Sequence, residues 1–154
     1  MQILTFMRHS QSPPMPPAGC SCLRLRKAAR RVSQIYDLYL KPYDLSVTQY
    51  SLLGHVRALD GINIGALAQA LVMDPTTLTR NLKPLERRKL LVLVPDVNDK
   101  RSRNLHLTDA GREIYAKSRV GWEAAQNKIA VALGDKGQSQ LTSSIDHLLQ
   151  KLAL

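Results

Sequence analysis

The chain has 154 residues and carries 22 Lys and Arg against 12 Asp and Glu, a net charge of +10. That length suits one domain with a real core. No run of about 18 apolar residues is available to span a membrane, two cysteines are too few for a disulfide scaffold, and the cationic surplus points to a polyanionic partner.

At the start, the short apolar run Ile3–Met7 is broken by Thr5 and followed, not preceded, by Arg8. That is not an export signal, so the expectation is a cytoplasmic protein with no membrane partner. Residues 1–19 hold Pro13, Pro14, Pro16 and Pro17 and no periodicity. They read as a disordered tail, with Met7 and Met15 as alternative starts.

From Cys22 a helical pattern begins, with Leu25, Ala28, Ala29, Val32, Ile35, Tyr36 and Tyr39 on one face, and Pro42 ends it. Ser46 and Gln49 form a capping-box signature. The helix they open carries Val47, Tyr50, Leu53, Val56, Arg57 and Leu59 and stops near Asp60-Gly61. Asn63 caps a short helix, Ile64 to Leu71. Asp74 and Pro75 then supply an N-cap and a first-turn proline for a helix through Thr76–Lys89. Pro84 inside that helix removes a backbone donor, so a bend is expected there.

Leu90–Pro95 reads as a strand, Asp96–Arg103 as a polar turn and Asn104–Leu107 as the returning strand. Thr108 caps a long helix with Ile114, Tyr115, Trp122, Ala125, Ile129 and Leu133. Gly134 and Gly137 interrupt it, and a last helix carries the stripe Leu141, Ile145, Leu148, Leu149 and Leu152. The fold class is therefore mainly α with a small β-hairpin.

Between Arg80 and Arg103 lie Arg80, Lys83, Arg87, Arg88, Lys89, Lys100, Arg101 and Arg103, opposed only by Glu86, Asp96 and Asp99. The bland reading of a basic run is a solvated face. Placement argues against it. With Leu78, Leu82 and Leu85 inward, the opposite face carries Thr76, Arg80, Lys83 and Arg87, flanked by Thr77 and Thr79. Short hydroxyls permit close approach to a major groove, and Arg forks onto guanine. The preceding short helix and turn complete a helix-turn-helix, and the hairpin with Lys100, Arg101 and Arg103 suits a minor groove. The implied partner is double-stranded DNA.

The stretch Asp99-Lys-Arg101-Ser-Arg-Asn-Leu105-His-Leu107-Thr108-Asp-Ala-Gly111 fits the wing signature D-x-R-x-x-x-[VL]-x-L-T-x-x-G at every fixed position. With LAQALVMDPTTLTRNLKPLERRKLL before it, the chain over residues 20–154 resembles the MarR family of bacterial transcription regulators. The resemblance implies one domain: residues 46–107 as a winged helix-turn-helix, and 20–45 and 108–154 as dimerisation helices. It also implies that Asp99 orients the wing and Arg101 enters the minor groove. Lys89 stands where similar proteins have Gly, so the helix exit is expected to differ. Dimerisation has separate support, because the first helix and the last two carry apolar stripes that a winged helix of some 65 residues cannot cover.

The resemblance further implies a small aromatic or phenolic effector that releases a repressor from a pseudo-palindromic operator. Tyr36, Tyr39, Tyr43, Tyr50 and His55 fall where its cavity would lie, although each reads more plainly as a core residue with a tethered polar group. One branch of the family senses peroxides through a cysteine near the first helix. Cys22 sits comparably, with Arg24 and Arg26 beside it to favour the oxidisable thiolate. Against that, Cys22 falls in register with Leu25 and Val32 as a buried core cysteine. Cys20 belongs to the tail. No catalytic, metal or cofactor motif stands out: His9, His55, His106 and His147 are scattered, and Cys20-Ser-Cys22 lacks a second ligand pair. The other class to weigh is a sequence-indifferent architectural protein using the same charge.

Overall fold

A computed structural model describes residues 19–96, 102–134 and 136–152. Helix α1 (Ser21–Leu40) runs into a 3-10 turn (Lys41–Tyr43). Then come α2 (Val47–Ala58), β1 (Ile62–Asn63), α3 (Ile64–Ala70), α4 (Pro75–Arg87), β2 (Leu91–Pro95), β3 (Arg103–Leu107), α5 (Asp109–Leu133) and α6 (Gly137–Lys151). The architecture is mainly helical with one small antiparallel sheet. The tail expected over 1–19 lies outside the described residues except for Gly19.

The caps form as the sequence predicts. Ser46 Oγ accepts from Gln49 N–H while Gln49 Oε1 accepts from Ser46 N–H, closing the capping box of α2. Asn63, Asp74 and Thr108 each accept the N–H three residues on, opening α3, α4 and α5. Helix α4 continues past Pro84 to Arg87.

The sheet order is β1-β3-β2. Leu91 pairs with Leu107 and Pro95 with Arg103 across the hairpin. Strand β1, which periodicity does not reveal, adds Ile62 opposite Leu105 on the other edge of β3. It ties the turn after α2 to the hairpin. Leu52, Leu53, Val56, Leu67, Leu78, Leu82, Leu85, Leu91, Leu105 and Leu107 bury themselves between α2, α3, α4 and the sheet. Burying one such side chain is worth about 1.5–3 kcal/mol, so this core fixes how α4 is presented.

Helices α1 and α5 pack together on the far side of α2. Gly121 makes their approach close: a Cβ there would lie 2.5 Å from the Tyr39 carbonyl oxygen. Helix α6 follows Gly134, whose φ of 74° turns the chain, and none of its residues is buried.

Candidate nucleic-acid interface

Helix α4 begins where the turn after α3 delivers it. Val72 N–H donates to the Gln69 carbonyl and Met73 N–H to that of Ala68, the paired closure of a Schellman motif. Val72 occupies its left-handed position, with φ of 51°. Asp74 then caps α4, and the Thr77 side chain and N–H that bond to it hold its carboxyl below the usual carboxylate value. Leu78, Leu82 and Leu85 point into the core. Thr76, Thr79, Arg80, Lys83 and Arg87 are exposed, and Thr77 is half-buried. Pro75, Thr76, Thr79, Arg80 and Lys83 line an open hollow of about 450 Å³. Among the described residues, Arg80, Lys83 and Arg87 make no ion pair.

Two further cations of the basic run lie off this face, on which the sequence did not place them either. Arg88 turns back onto the corner after α1, where its guanidinium bonds the Asp44 carbonyl and lies 3.5 Å from the Asp44 carboxylate. Lys89 follows in the exit turn.

The hairpin's base is described and its tip is not: Asp99, Lys100 and Arg101 lie outside the described residues. Asp96 N–H donates to the Ser102 carbonyl, and Asn104 Nδ2 donates to Asp96 Oδ2 at 2.9 Å. Arg103 is exposed and borders a hollow of about 270 Å³ shared with Asn63, Ile64 and Gly65 at the start of α3. Toward the other end of β3, His106 Nδ1 lies 3.0 Å from Asp60 Oδ1.

A second feature is a cleft of about 520 Å³ between α1, α2 and α5. Tyr50 stacks on Tyr115 at 4.8 Å and on Trp122 at 6.1 Å between centroids. The Arg57 guanidinium sits 5.5 Å from the Tyr115 ring centroid, and Arg119 borders the same space. Burial, then the hydrogen bond with Tyr115, raises the Tyr50 hydroxyl well above the usual phenol value. Burial also raises Tyr36, whose hydroxyl donates to Gln126 Oε1 at 2.5 Å. Both are therefore neutral donors at physiological pH.

Of the residues expected here, Tyr36 and Tyr50 line the cleft, whereas Tyr39, Tyr43 and His55 do not. Tyr39 and Tyr43 are taken up where α1 and its 3-10 turn meet Gly121. His55 lies about 140° around α2 from Tyr50, and its Nδ1 pairs with the Ser51 carbonyl. The lining that sequence reasoning missed, Tyr115, Arg119 and Trp122, falls at i, i+4 and i+7 along α5. That spacing was the available signal.

The model of the MarR family matches residues 43–102. The crystal structure of the M. tuberculosis transcriptional regulator MosR in complex with DNA superimposes with a TM-score of 0.77 at 31% identity, covering 86% of this chain and 95% of that one. The chain belongs to the MarR family. Among curated relatives, the HTH-type transcriptional regulator SarZ of Staphylococcus aureus is 31% identical over 93 residues, which cover 60% of this chain and 63% of SarZ. The regulator Hpr of Bacillus licheniformis is 26% identical over 125 residues, which cover 81% of this chain and 60% of Hpr. The chain thus spans about 60% of the length of these curated relatives.

Within the MarR fold, the exit of α4 corrects one expectation. Lys89 was expected to change it, yet Lys89 adopts the left-handed conformation itself, with φ of 55°. The surroundings hold it there. Lys89 N–H donates to the Glu86 carbonyl, Leu90 N–H to that of Leu85, and Thr108 Oγ1 to the Lys89 carbonyl at 2.7 Å. The buried Leu85 and Leu90 supply the apolar closure of a second Schellman motif. The cysteines also differ from the plainest expectation. Cys22 is exposed in the chain, not buried, and Cys20 is the N-cap of α1, its Sγ accepting from Leu23 N–H at 3.4 Å.

Proposed function

We propose that the chain is a sequence-specific DNA-binding transcription regulator that works as a homodimeric repressor and is released from a pseudo-palindromic operator by a small aromatic ligand. The observation that carries this reading is the outer face of α4. Arg80, Lys83 and Arg87 stand exposed opposite three buried leucines and, among the described residues, make no ion pair, with Thr76 and Thr79 beside them. Helix α4 enters the major groove. The wing, with Arg103 at its base and Asp99, Lys100 and Arg101 at its tip, follows the backbone into the minor groove. Residues 46–107 form this DNA-reading part, and 20–45 with 108–154 form the dimerisation part.

Two copies joined through the terminal helices would bury α6's exposed stripe and set two recognition helices about 34–36 Å apart on one face of DNA. The cleft suits the ligand, because stacked rings beside Arg57 and Arg119 accept a planar molecule.

The test is fluorescence anisotropy of the purified protein on DNA from upstream of its gene, against scrambled DNA, across a salt series. If none of these is preferred, selection from a random pool decides. A specific regulator prefers its site by about 10³–10⁷-fold. Equal affinity throughout would leave the architectural reading. Arg80→Ala should cost about 1–3 kcal/mol at the preferred site and relax the preference. Ligand entry is readable directly, because Trp122 is the chain's single tryptophan and borders the cleft. A phenolic compound that releases DNA should also change its fluorescence.

The exposure of both cysteines favours a second reading, peroxide sensing. A thiolate attacks the peroxide, forms a sulfenic acid and releases water or an alcohol. Stoichiometric peroxide should then weaken DNA binding in the wild type and not in Cys22→Ser. Unchanged wild-type affinity would end that reading.

A further inference from the structure

Three threonines open α4, and they do not offer the same chemistry. The Thr77 side chain bonds the Asp74 carboxylate. Thr79 Oγ1 donates to the Pro75 carbonyl, one turn back in the same helix, at 2.8 Å. Thr76 alone, among these three, makes no side-chain hydrogen bond within the described residues. A threonine hydroxyl has one proton to give. Thr77 and Thr79 have given theirs to the helix, yet Thr79 stays exposed beside Arg80 on the face proposed to meet DNA.

What Thr79 can still offer a base is therefore its γ-methyl group and a shared oxygen. The only apolar group that a base presents in the major groove is the 5-methyl of thymine. We infer that Thr79 reads a thymine by methyl-to-methyl contact, next to the base that Arg80 reads. The bond to Pro75 is what fits it for this, since it removes the donor that would otherwise seek N7, O6 or O4. This inference rests on α4 being the DNA-reading helix. It adds that one threonine there selects by apolar contact and not by donating a hydrogen bond.

The test uses the full chain, its preferred site from random-pool selection, and two variants at this exposed position. Thr79→Val keeps the methyl and loses the oxygen. Thr79→Ser keeps the hydroxyl and loses the methyl. Each thymine of a half-site is replaced in turn by uracil, which lacks only the 5-methyl. One replacement should weaken wild-type binding about fourfold, the worth of one buried methyl. Thr79→Val should show the same loss at the same position, and Thr79→Ser should show none.

A uracil effect that persists in Thr79→Ser would overturn the inference. So would a site whose selected base changes to one without a methyl in Thr79→Val, because the oxygen would then be the reading group. A strong preferred site with no uracil effect sinks the inference alone. Selection that returns no preferred sequence sinks the reading of α4 as well.

Discussion

The two halves of this chain are finished to different degrees. The half built from α2, α3, α4 and the sheet closes on itself: Leu67, Leu78, Leu85, Leu91 and Leu105 are fully buried. Its helices α2, α3 and α4 start on side-chain caps. The half built from the terminal helices does not close. Val131 is 74% exposed, Leu149 55% and Leu152 65%, and α6 buries none of its residues. A single chain closes the core that presents the outer face of α4 and leaves apolar area uncovered elsewhere. That difference is the physical case for a second copy, because uncovered stripes on the terminal helices are what a two-fold partner can cover without touching α4.

The joint between the halves gives the largest effect. A Cβ at Gly111 would lie 1.9 Å from the Leu90 carbonyl oxygen. Backbone cannot retreat as a flexible side chain can. Gly111→Ala should therefore lose at least about 3 kcal/mol, beyond ordinary overpacking, or fail to fold. Urea unfolding measures it, and a wild-type midpoint would mean that α5 does not seat against Leu90.

Next in size is a pair of substitutions, one in each half. Leu85→Ala should cost about 2–5 kcal/mol at any protein concentration, as a buried cavity does. Leu148→Asp, on α6, should leave the stability of the dilute monomer nearly unchanged and shift sedimentation from dimer to monomer. If Leu148→Asp sedimented like the wild type, the stripe on α6 would not be the interface.

How much of this was legible follows from how far each signal reaches along the chain. Caps are local, so Ser46, Asn63, Asp74 and Thr108 could be read from a few neighbours, and the leucine stripes fixed which face of α4 is inward. Strand β1 was not legible, because two residues carry no alternation and Ile62 becomes a strand only by pairing with Leu105, far along the chain. The cleft was half legible. Tyr36 and Tyr50 were found, while Arg57 and Arg119 come from different helices that meet only through packing. The commitment of the Thr77 and Thr79 hydroxyls was hidden too, since sequence shows that a hydroxyl exists and not where its proton goes.

A smaller effect tests the cap that starts α4. The Asp74 carboxyl is held below its usual value by its bonds from Thr77. A lowered value in the folded state means stabilisation that is fully present above the unfolded carboxylate pKa of about 3.9 and lost as pH falls through the folded value. Asp74→Asn keeps an acceptor without the charge. Its stability should lie close to the wild type's at pH 7 and fall less steeply below about pH 4. Parallel acid limbs for the two proteins would show that the cap carries no charge-dependent share.

The smallest effects, and the only gains, come from the two ends of α4. Val72 and Lys89 hold left-handed conformations, at φ of 51° and 55°, in Schellman closures where glycine carries no Cβ penalty. A left-handed L-residue costs about 1–2 kcal/mol, and glycine's extra unfolded-state entropy returns about 0.5–1 of that. Val72 is β-branched, the worst type for this conformation, and it is 81% exposed, so little packing is lost by removing it. Val72→Gly should raise stability by about 1 kcal/mol and Lys89→Gly by about half as much. A loss at Val72→Gly would contradict the left-handed turn. The informative measurement is then DNA affinity in the stabilised variants. Unchanged affinity means that the strain at both ends of the helix is merely tolerated. A fall in affinity alongside a gain in stability would mean that these two residues hold α4 at the angle the groove requires, and that the closed half of the molecule gives up stability to present it.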